Sequence, residues 1–427
     1  MKKLFALLLA MAMVFALVAC GNSGNSGSDV DLDNLETHDP ADVTLTVWVS
    51  GAGAQVEALQ AAVKGFEAET GYTVEFSAPG ESYEELMKTK MAANDMPDVF
   101  DTHGWSATRY KDYLLPTNEM SFASRLDPQI TSVISDADGN YYVLPMDVDV
   151  TGLVYNVDVC EEAGVNVDEI KTWADFEAAC EKVKAIGKTP IHMGGANNFT
   201  VGWFYDRVAP AYYLSDESNN EIENLRNGKF NDALWVEIST LLDSWVTKGY
   251  LNADCVSGEY TADVAALAQN ETAFLFYGNI AVTLGAGINP DANLGMMPLP
   301  AKSASDEPTL IAGENVALGV WNESEYKAEA IQLLEYLARP EVAATVSAAT
   351  GNKSALTDVE QDLGAIQTYL DKYADVETFP YFDRDYLPSG LWDVVCTTGQ
   401  EVLAQKPGAI ENSAAQVKTT FDEKFGG

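Results

Sequence analysis

Asp147 and Asp149 stand two residues apart in the run Met146-Asp147-Val148-Asp149-Val150-Thr151-Gly152-Leu153-Val154-Tyr155. Carboxylates at i and i+2 of a strand share a face, so the pair has the side chains of a two-acid glycosidase, with one proton donor and one nucleophile or base. Such a site usually draws its acids from separate elements, which weighs against catalysis here. No other stretch supplies a reaction. The histidines are His38, His103 and His192, and the chain has no H-E-x-x-H, G-x-S-x-G or Walker loop. Gly187-Lys188-Thr189 imitates the end of a phosphate loop, but Lys182 stands where its first glycine belongs and the triplet closes a helical pattern. Gly51 and Gly53 are half a dinucleotide fingerprint, with Val56 in place of the third glycine. Asp136 to Asn140 lacks the closing glutamate of a calcium loop and reads as a turn. The expectation is a protein without catalytic residues, cofactor or metal.

The acid pair needs elements to hold it. Asp138-Gly139 is a turn signal, and Tyr141 to Leu144 follows as a strand. Pro145 interrupts, since it has no N–H for a ladder. Val150 to Tyr155 is a second strand, and Asn156 opens a helix. Two strands joined without a helix, with carboxylates between them, suggest a crossing from one lobe to another. Upstream, Val43, Leu45, Val47 and Val49 alternate on one strand face. A helix carrying Val56, Leu59, Val63 and Phe66 ends at Gly71. Tyr72 to Phe76 is a strand, Ser82 with Glu85 forms a capping box for the next helix, and Pro97 to Asp101 is a third strand. That alternation predicts a parallel sheet, with ligands outside its C-terminal strand ends near Trp48 to Gly53 and Asp101 to Trp105. Downstream, Thr172 and Asp175 cap a helix with Trp173, Phe176, Cys180, Val183 and Ile186 inward. Ala273 to Tyr277 and Val316 to Val320 are buried strands, and helices occupy about 389–404 and 407–425.

Lys2 and Lys3 precede an apolar run from Leu4 to Val18, the pattern of a secretory signal and too short for a comfortable membrane span. It ends Leu17-Val18-Ala19-Cys20, ahead of a Gly/Ser/Asn tether and the acidic stretch Asp29 to Asp39. The 427 residues carry 25 Lys plus Arg against 65 Asp plus Glu, a formal charge of −40. That balance repels phosphate backbones and no basic stripe offsets it, so nucleic acid is excluded as a partner. Besides Cys20 the cysteines are Cys160, Cys180, Cys255 and Cys396, without a C-x-x-C. A chain this long does not need disulfides, and free buried thiols are expected.

Several motifs together resemble the extracellular solute-binding proteins of ABC importers, the carbohydrate-binding, maltose-binding-protein-like family. Asp138-Gly139 to Asn156 is similar to its first hinge, and Pro97-Asp98-Val99 to an early strand. Lys171-Thr172-Trp173-Ala174-Asp175-Phe176, Ala273 to Asn279, Met297-Pro298-Leu299-Pro300 and Ile331 to Val342 follow in family order, although Ile280 stands near a position where the family has an aromatic. Leu17 to Cys20 resembles a lipoprotein box, in which the cysteine receives a diacylglyceryl anchor, palmitate among its acyl chains, and becomes residue one. The resemblance implies an α/β type II periplasmic-binding-protein-like fold of two hinge-linked lobes, each a mostly parallel sheet flanked by helices. The expected division is 1–19 signal peptide, 20–40 lipidated cysteine and flexible tether, 41–148 plus 313–356 lobe 1, and 149–312 plus 357–427 lobe 2. Crossings are expected at Asp147–Gly152, near Leu310–Asn315 and after Ser354 in an acidic helical region.

It further implies a monomeric receptor, lipid-anchored at the extracellular face of the cytoplasmic membrane, that binds a sugar or oligosaccharide between its lobes and delivers it to the membrane subunits of an ABC permease. A sugar site needs flat apolar faces for ring C–H groups and acceptors for hydroxyls. The aromatic candidates are Trp48, Trp105, Trp203, Tyr381 and Trp392, with Tyr277 and Phe382 beside them. Trp235 and Trp245 read as core. Among polar candidates Asp149 is best placed, at the family's acidic position after the hinge proline. Asp101, His103, Asn279, Glu314, Asn315 and Asp383 complete the set. The alternatives are another solute, such as an amino sugar or polyamine, a surface glycosidase, or a structural adhesin.

Overall fold

The computed structural model describes residues 35–51, 53–102, 104–136, 138–215 and 220–425. The signal segment, Cys20, His103 and the tether up to residue 34 lie outside the described residues. The strands, in chain order, are β1 (Thr44–Trp48), β2 (Thr73–Ser77), β3 (Val99–Asp101), β4 (Leu144–Pro145), β5 (Asp147–Thr151), β6 (Leu153–Asn156) and β7 (Thr189–Ile191). They continue with β8 (Thr272–Leu275), β9 (Leu294–Met297), β10 (Leu310–Gly313), β11 (Ala317–Val320), β12 (Lys353–Ser354) and β13 (Thr378–Pro380). Three sheets result, ordered β2-β1-β3-β11-β4, β7-β8-β6-β9 and β12-β5-β10-β13. The first two carry helices and form α/β layers. The third connects them.

The expected strand–helix–strand build-up is present in the first sheet, where β1 pairs with β2 and β3 in parallel. Each layer also contains one reversed strand. β11 runs against β3 and β4, and β6 runs against β8 and β9. Both arrive directly from the connecting sheet, from β10 and β5 respectively. A strand delivered without a helical crossover pairs antiparallel to its neighbours, whereas parallel neighbours need a long crossover. The strand expected as one run from Val150 to Tyr155 is therefore two strands in two sheets. They part at Gly152, where a Cβ would collide with the Met297 carbonyl.

In the first layer Val43, Leu45, Val47 and Val49 are buried, as are Leu59, Val63 and Phe66 of the helix Ala54–Thr70. That helix stops at Gly71, whose left-handed backbone donates its N–H to the Glu67 carbonyl at 2.8 Å. Val56, expected inward, is only half-buried. The capping box at Ser82 does not form: a 3₁₀ turn over Gly80–Ser82 leads straight into the helix Tyr83–Ala93, so Ser82 is already helical in backbone and caps nothing. The box at Thr172 and Asp175 does form, with Thr172 N–H donating to Asp175 Oδ2 at 2.9 Å and Asp175 N–H to Thr172 Oγ1 at 3.2 Å. It opens the helix Trp173–Ala185, whose buried face joins Trp245, Phe274 and Phe276 in an aromatic core. Cys160, Cys180, Cys255 and Cys396 are buried and unpaired.

Two expectations need correction. Residues 36–40 of the tether are held rather than free: the His38 N–H donates to Glu329 Oε1 at 2.7 Å, and its ring meets Tyr326 edge-on at 5.2 Å. The acidic segment after Ser354 is not helical until Ala365–Lys372. Residues 357–364 carry Asp358, Glu360 and Asp362 close together, and Gln361 reaches back to bond the Asn352 carbonyl and the Ser354 N–H.

Candidate functional site

The helix Phe199–Tyr213 is buried on nearly every side, as its sequence Phe-Thr-Val-Gly-Trp-Phe-Tyr-Asp-Arg-Val-Ala-Pro-Ala-Tyr-Tyr requires. Asp206 and Arg207 are its only charges. Their spacing from Trp203, i+3 and i+4, puts all three on one face. That face meets the connecting sheet and the short helix Phe382–Asp385. Asp149, Trp203, Asp206, Arg207, Asn315 and Tyr381 line a cavity of about 90 Å³ there, with Gly278, Ile280, Asn352, Asp383 and Arg384.

Asp149 is the centre of its electrostatics. Oδ2 accepts from Tyr381 Oη at 2.6 Å. Oδ1 is out of solvent and makes no hydrogen bond to any described residue. Burial raises the pKa of this carboxyl, and the Tyr381 hydroxyl and Arg207 charge oppose the shift. Opposite, Asp383 N–H donates to Asp206 Oδ1 at 3.1 Å. Burial raises the pKa of both Asp206 and Asp383; the Arg207 and Arg384 charges oppose the shift at Asp206, and the Arg384 charge opposes it at Asp383. Arg207 stands 5.7 Å from the Trp203 ring centre, and its Nε has no partner among the described residues. Trp203 is braced edge-on by Tyr277 at 4.9 Å and by Phe199 at 5.1 Å. The site is thus a small polar chamber with an aromatic wall, two cations and an acceptor oxygen without a donor among the described residues.

The other expected residues fall differently. Asp147 is no partner acid: Oδ1 accepts from Asn315 and Val316 N–H at 2.9 and 3.1 Å, and Oδ2 from Asn352 Nδ2 at 3.0 Å. Asp101 ties the C-terminal strand ends together, accepting from Ser50 and, at 3.0 Å, from Ala317 N–H. Asn279 holds the back of β5, donating to the Val150 carbonyl at 2.8 Å. Glu314 is fully buried just beyond β10, outside the cavity lining, and neither carboxylate oxygen has a partner among the described residues. Burial pushes its pKa up to about 7. Trp48 also lies outside the lining, with Lys90 4.8 Å over its ring. Trp105 is buried between Arg109 at 4.4 Å and Arg384 at 5.7 Å. Trp392 lies outside the cavity lining and packs its indole edge on Gly202, because a helix without a side chain at that point lets the ring in. Asp206, Arg207 and Arg384 were missed. The signal for the first two was available, as a lone charged pair inside an otherwise uncharged helical stretch.

Comparison with known proteins gives concordant matches. The pattern of the bacterial extracellular solute-binding protein family matches residues 52–344. The melibiose/raffinose/stachyose-binding protein MelE of Bacillus subtilis is 33% identical over 412 residues, 95% of this chain and 92% of that protein. A sugar transporter of Bacillus licheniformis solved in complex with stachyose superposes with a TM-score of 0.82 at 31% identity, over 89% of this chain and 100% of that one. A binding protein of Bacillus subtilis solved in an open conformation gives 0.81 at 31% identity, over 91% and 98%.

Proposed function

The chain belongs to the bacterial extracellular solute-binding proteins, and from that premise we propose that its cleft takes an oligosaccharide of the raffinose and stachyose type. It is a binding protein of an ABC importer and not an enzyme. Asp149 carries the ligand reading. A partly buried carboxylate with one sequestered oxygen lacking a donor costs stability unless a ligand hydroxyl supplies the bond. Trp203 beside it offers a flat face to a sugar ring. Asn315, Tyr381 and Asp383 complete the expected contacts, with Asp206 and Arg207 added. Trp48, Asp101, Asn279 and Glu314 act behind the site, and Trp105 and Trp392 brace its walls.

The lobes correspond to the two helix-bearing sheets, with 41–148 plus 313–356 in one and 149–312 plus 357–427 in the other, and the connecting sheet is their hinge. The protein is a monomer that hands its ligand to the permease's membrane subunits from the outer side of the membrane. The apolar run up to Val18 followed by Ala19-Cys20 supports cleavage after Ala19 and a lipid anchor on Cys20, and Cys20→Ala then appears in the soluble fraction or as uncleaved precursor.

Titration calorimetry with raffinose and stachyose tests the ligand. Saturable binding is expected, with the sugar recovered unchanged after long incubation. Asp149→Ala weakens it by about 1.5–3 kcal/mol, tenfold or more, because hydroxyls are then buried without a charged acceptor. Hydrolysed sugar, or affinity indifferent to Asp149, contradicts the reading.

A further inference from the structure

The cavity at the site is about 90 Å³, well below the roughly 300–1,000 Å³ of pockets that enclose small ligands. Among the side chains that bound it, that of Arg384 makes contacts on more than one side. Arg384 leaves the short helix Phe382–Asp385 and extends toward the first layer. Its guanidinium lies 4.6 Å from the Tyr381 ring centre and 5.7 Å from that of Trp105, and it donates to the Glu314 carbonyl. The approach is close enough to dictate a residue type. Gly104 has φ +84°, and a Cβ there would sit 2.6 Å from the Arg384 guanidinium carbon. Arg384 therefore touches three parts at once: the loop after β3, the end of β10 and the site itself. The carboxyl groups of Asp383, Glu314 and Asp206 are its acidic neighbours.

We propose that Arg384 is an internal occupant of the ligand cleft, a latch that holds the unliganded molecule shut and that an incoming ligand must displace. A planar cation over an aromatic ring, with a carbonyl acceptor, uses the kinds of surface that a sugar ring with its hydroxyls uses. The measured affinity is then the sugar's contacts minus those of Arg384. The latch also sets the unliganded equilibrium, since contacts made only in the shut form favour it. The neighbouring acids let the guanidinium swing aside without losing every partner, so displacement costs contacts rather than a stranded charge.

The affinity half of this inference rests on the oligosaccharide reading, and the latch half does not. Small-angle scattering of the sugar-free protein is to be measured beside raffinose calorimetry, for the parent and for Arg384→Ala. The latch predicts a larger radius of gyration without sugar. It also predicts raffinose affinity raised about two- to tenfold, the worth of one intramolecular hydrogen bond. Arg384→Lys keeps a charge among the acids but loses the planar stack and the forked geometry. It shifts both readouts the same way and serves where alanine does not fold. Lower affinity in either variant makes Arg384 a ligand contact and overturns the latch, as does an unchanged radius of gyration. Expansion in a protein that binds no raffinose keeps the latch and overturns the sugar reading instead.

Discussion

Asp147 and Asp149 lie on one strand, two residues apart, and their surroundings are opposite. Asp147 receives three donors, two of them backbone N–H groups of the chain leaving β10. Asp149 receives one, and its other oxygen has none among the described residues. Residue type and strand face are the same, so neither distinguishes a structural acid from a recognition acid. The count of donors does. A saturated carboxylate is part of the fold, and an unsaturated one beside a cavity is kept for something that comes and goes.

Substitution at Asp147 gives the largest effect. Asp147→Ala strands two backbone N–H groups and the Asn352 amide in the connecting sheet, at a cost of about 3–5 kcal/mol in urea unfolding. Asp149→Ala loses a single hydroxyl partner and relieves a carboxyl that burial disfavours, so the unliganded unfolding midpoint moves little. Equal losses at the two positions would mean that donor count does not separate the roles.

Glu314 extends the comparison to a carboxyl with no donor at either oxygen among the described residues. Its pKa rises from 4.5 to about 7 through burial, partly opposed by the Arg384 charge. The native protein therefore binds this proton more tightly than the unfolded chain does. The stabilisation is fully present below about pH 4.5 and fades as pH rises through about 7, a change on the order of 3 kcal/mol. Glu314→Gln keeps the shape and removes the titration. Its stability relative to the parent should climb between pH 5 and pH 8 in paired thermal melts, and a gap constant with pH would show that Glu314 is ionised throughout.

Donor counts of this kind are not legible in a sequence. The alternation at Val43 to Val49 and the cap at Thr172 are local patterns, and both appear in the structure as read. The order of motifs gave the family without a single contact. Asp147 and Asp149 looked like a matched pair because the partners that separate them, Asn315, Val316, Asn352 and Tyr381, are supplied from more than 160 positions away. Trp392 is a candidate by residue type alone, and the side it presents depends on Gly202 in another helix. The failed cap at Ser82 is a smaller case, since a preceding 3₁₀ turn, invisible in a three-residue spacing, decides it.

The smallest effect is expected where the two layers meet through exposed charge. Lys88 and Asp393 approach to 3.5 Å, with more than half of each side chain in water. Water and salt screen such a pair, and two long side chains lose freedom to form it. Lys88→Ala should therefore change raffinose affinity by less than about twofold and leave the sugar-free radius of gyration as it is, at low and high salt alike. Arg384 joins the same two layers with its charge largely withdrawn from water, and its removal should expand the molecule. The two variants thus ask whether closure depends on sequestered contacts or on attraction between exposed charges. If Lys88→Ala expands the protein at low salt as far as Arg384→Ala does, exposed charge holds the layers together, and the distinction between sequestered and solvated partners fails where it matters most.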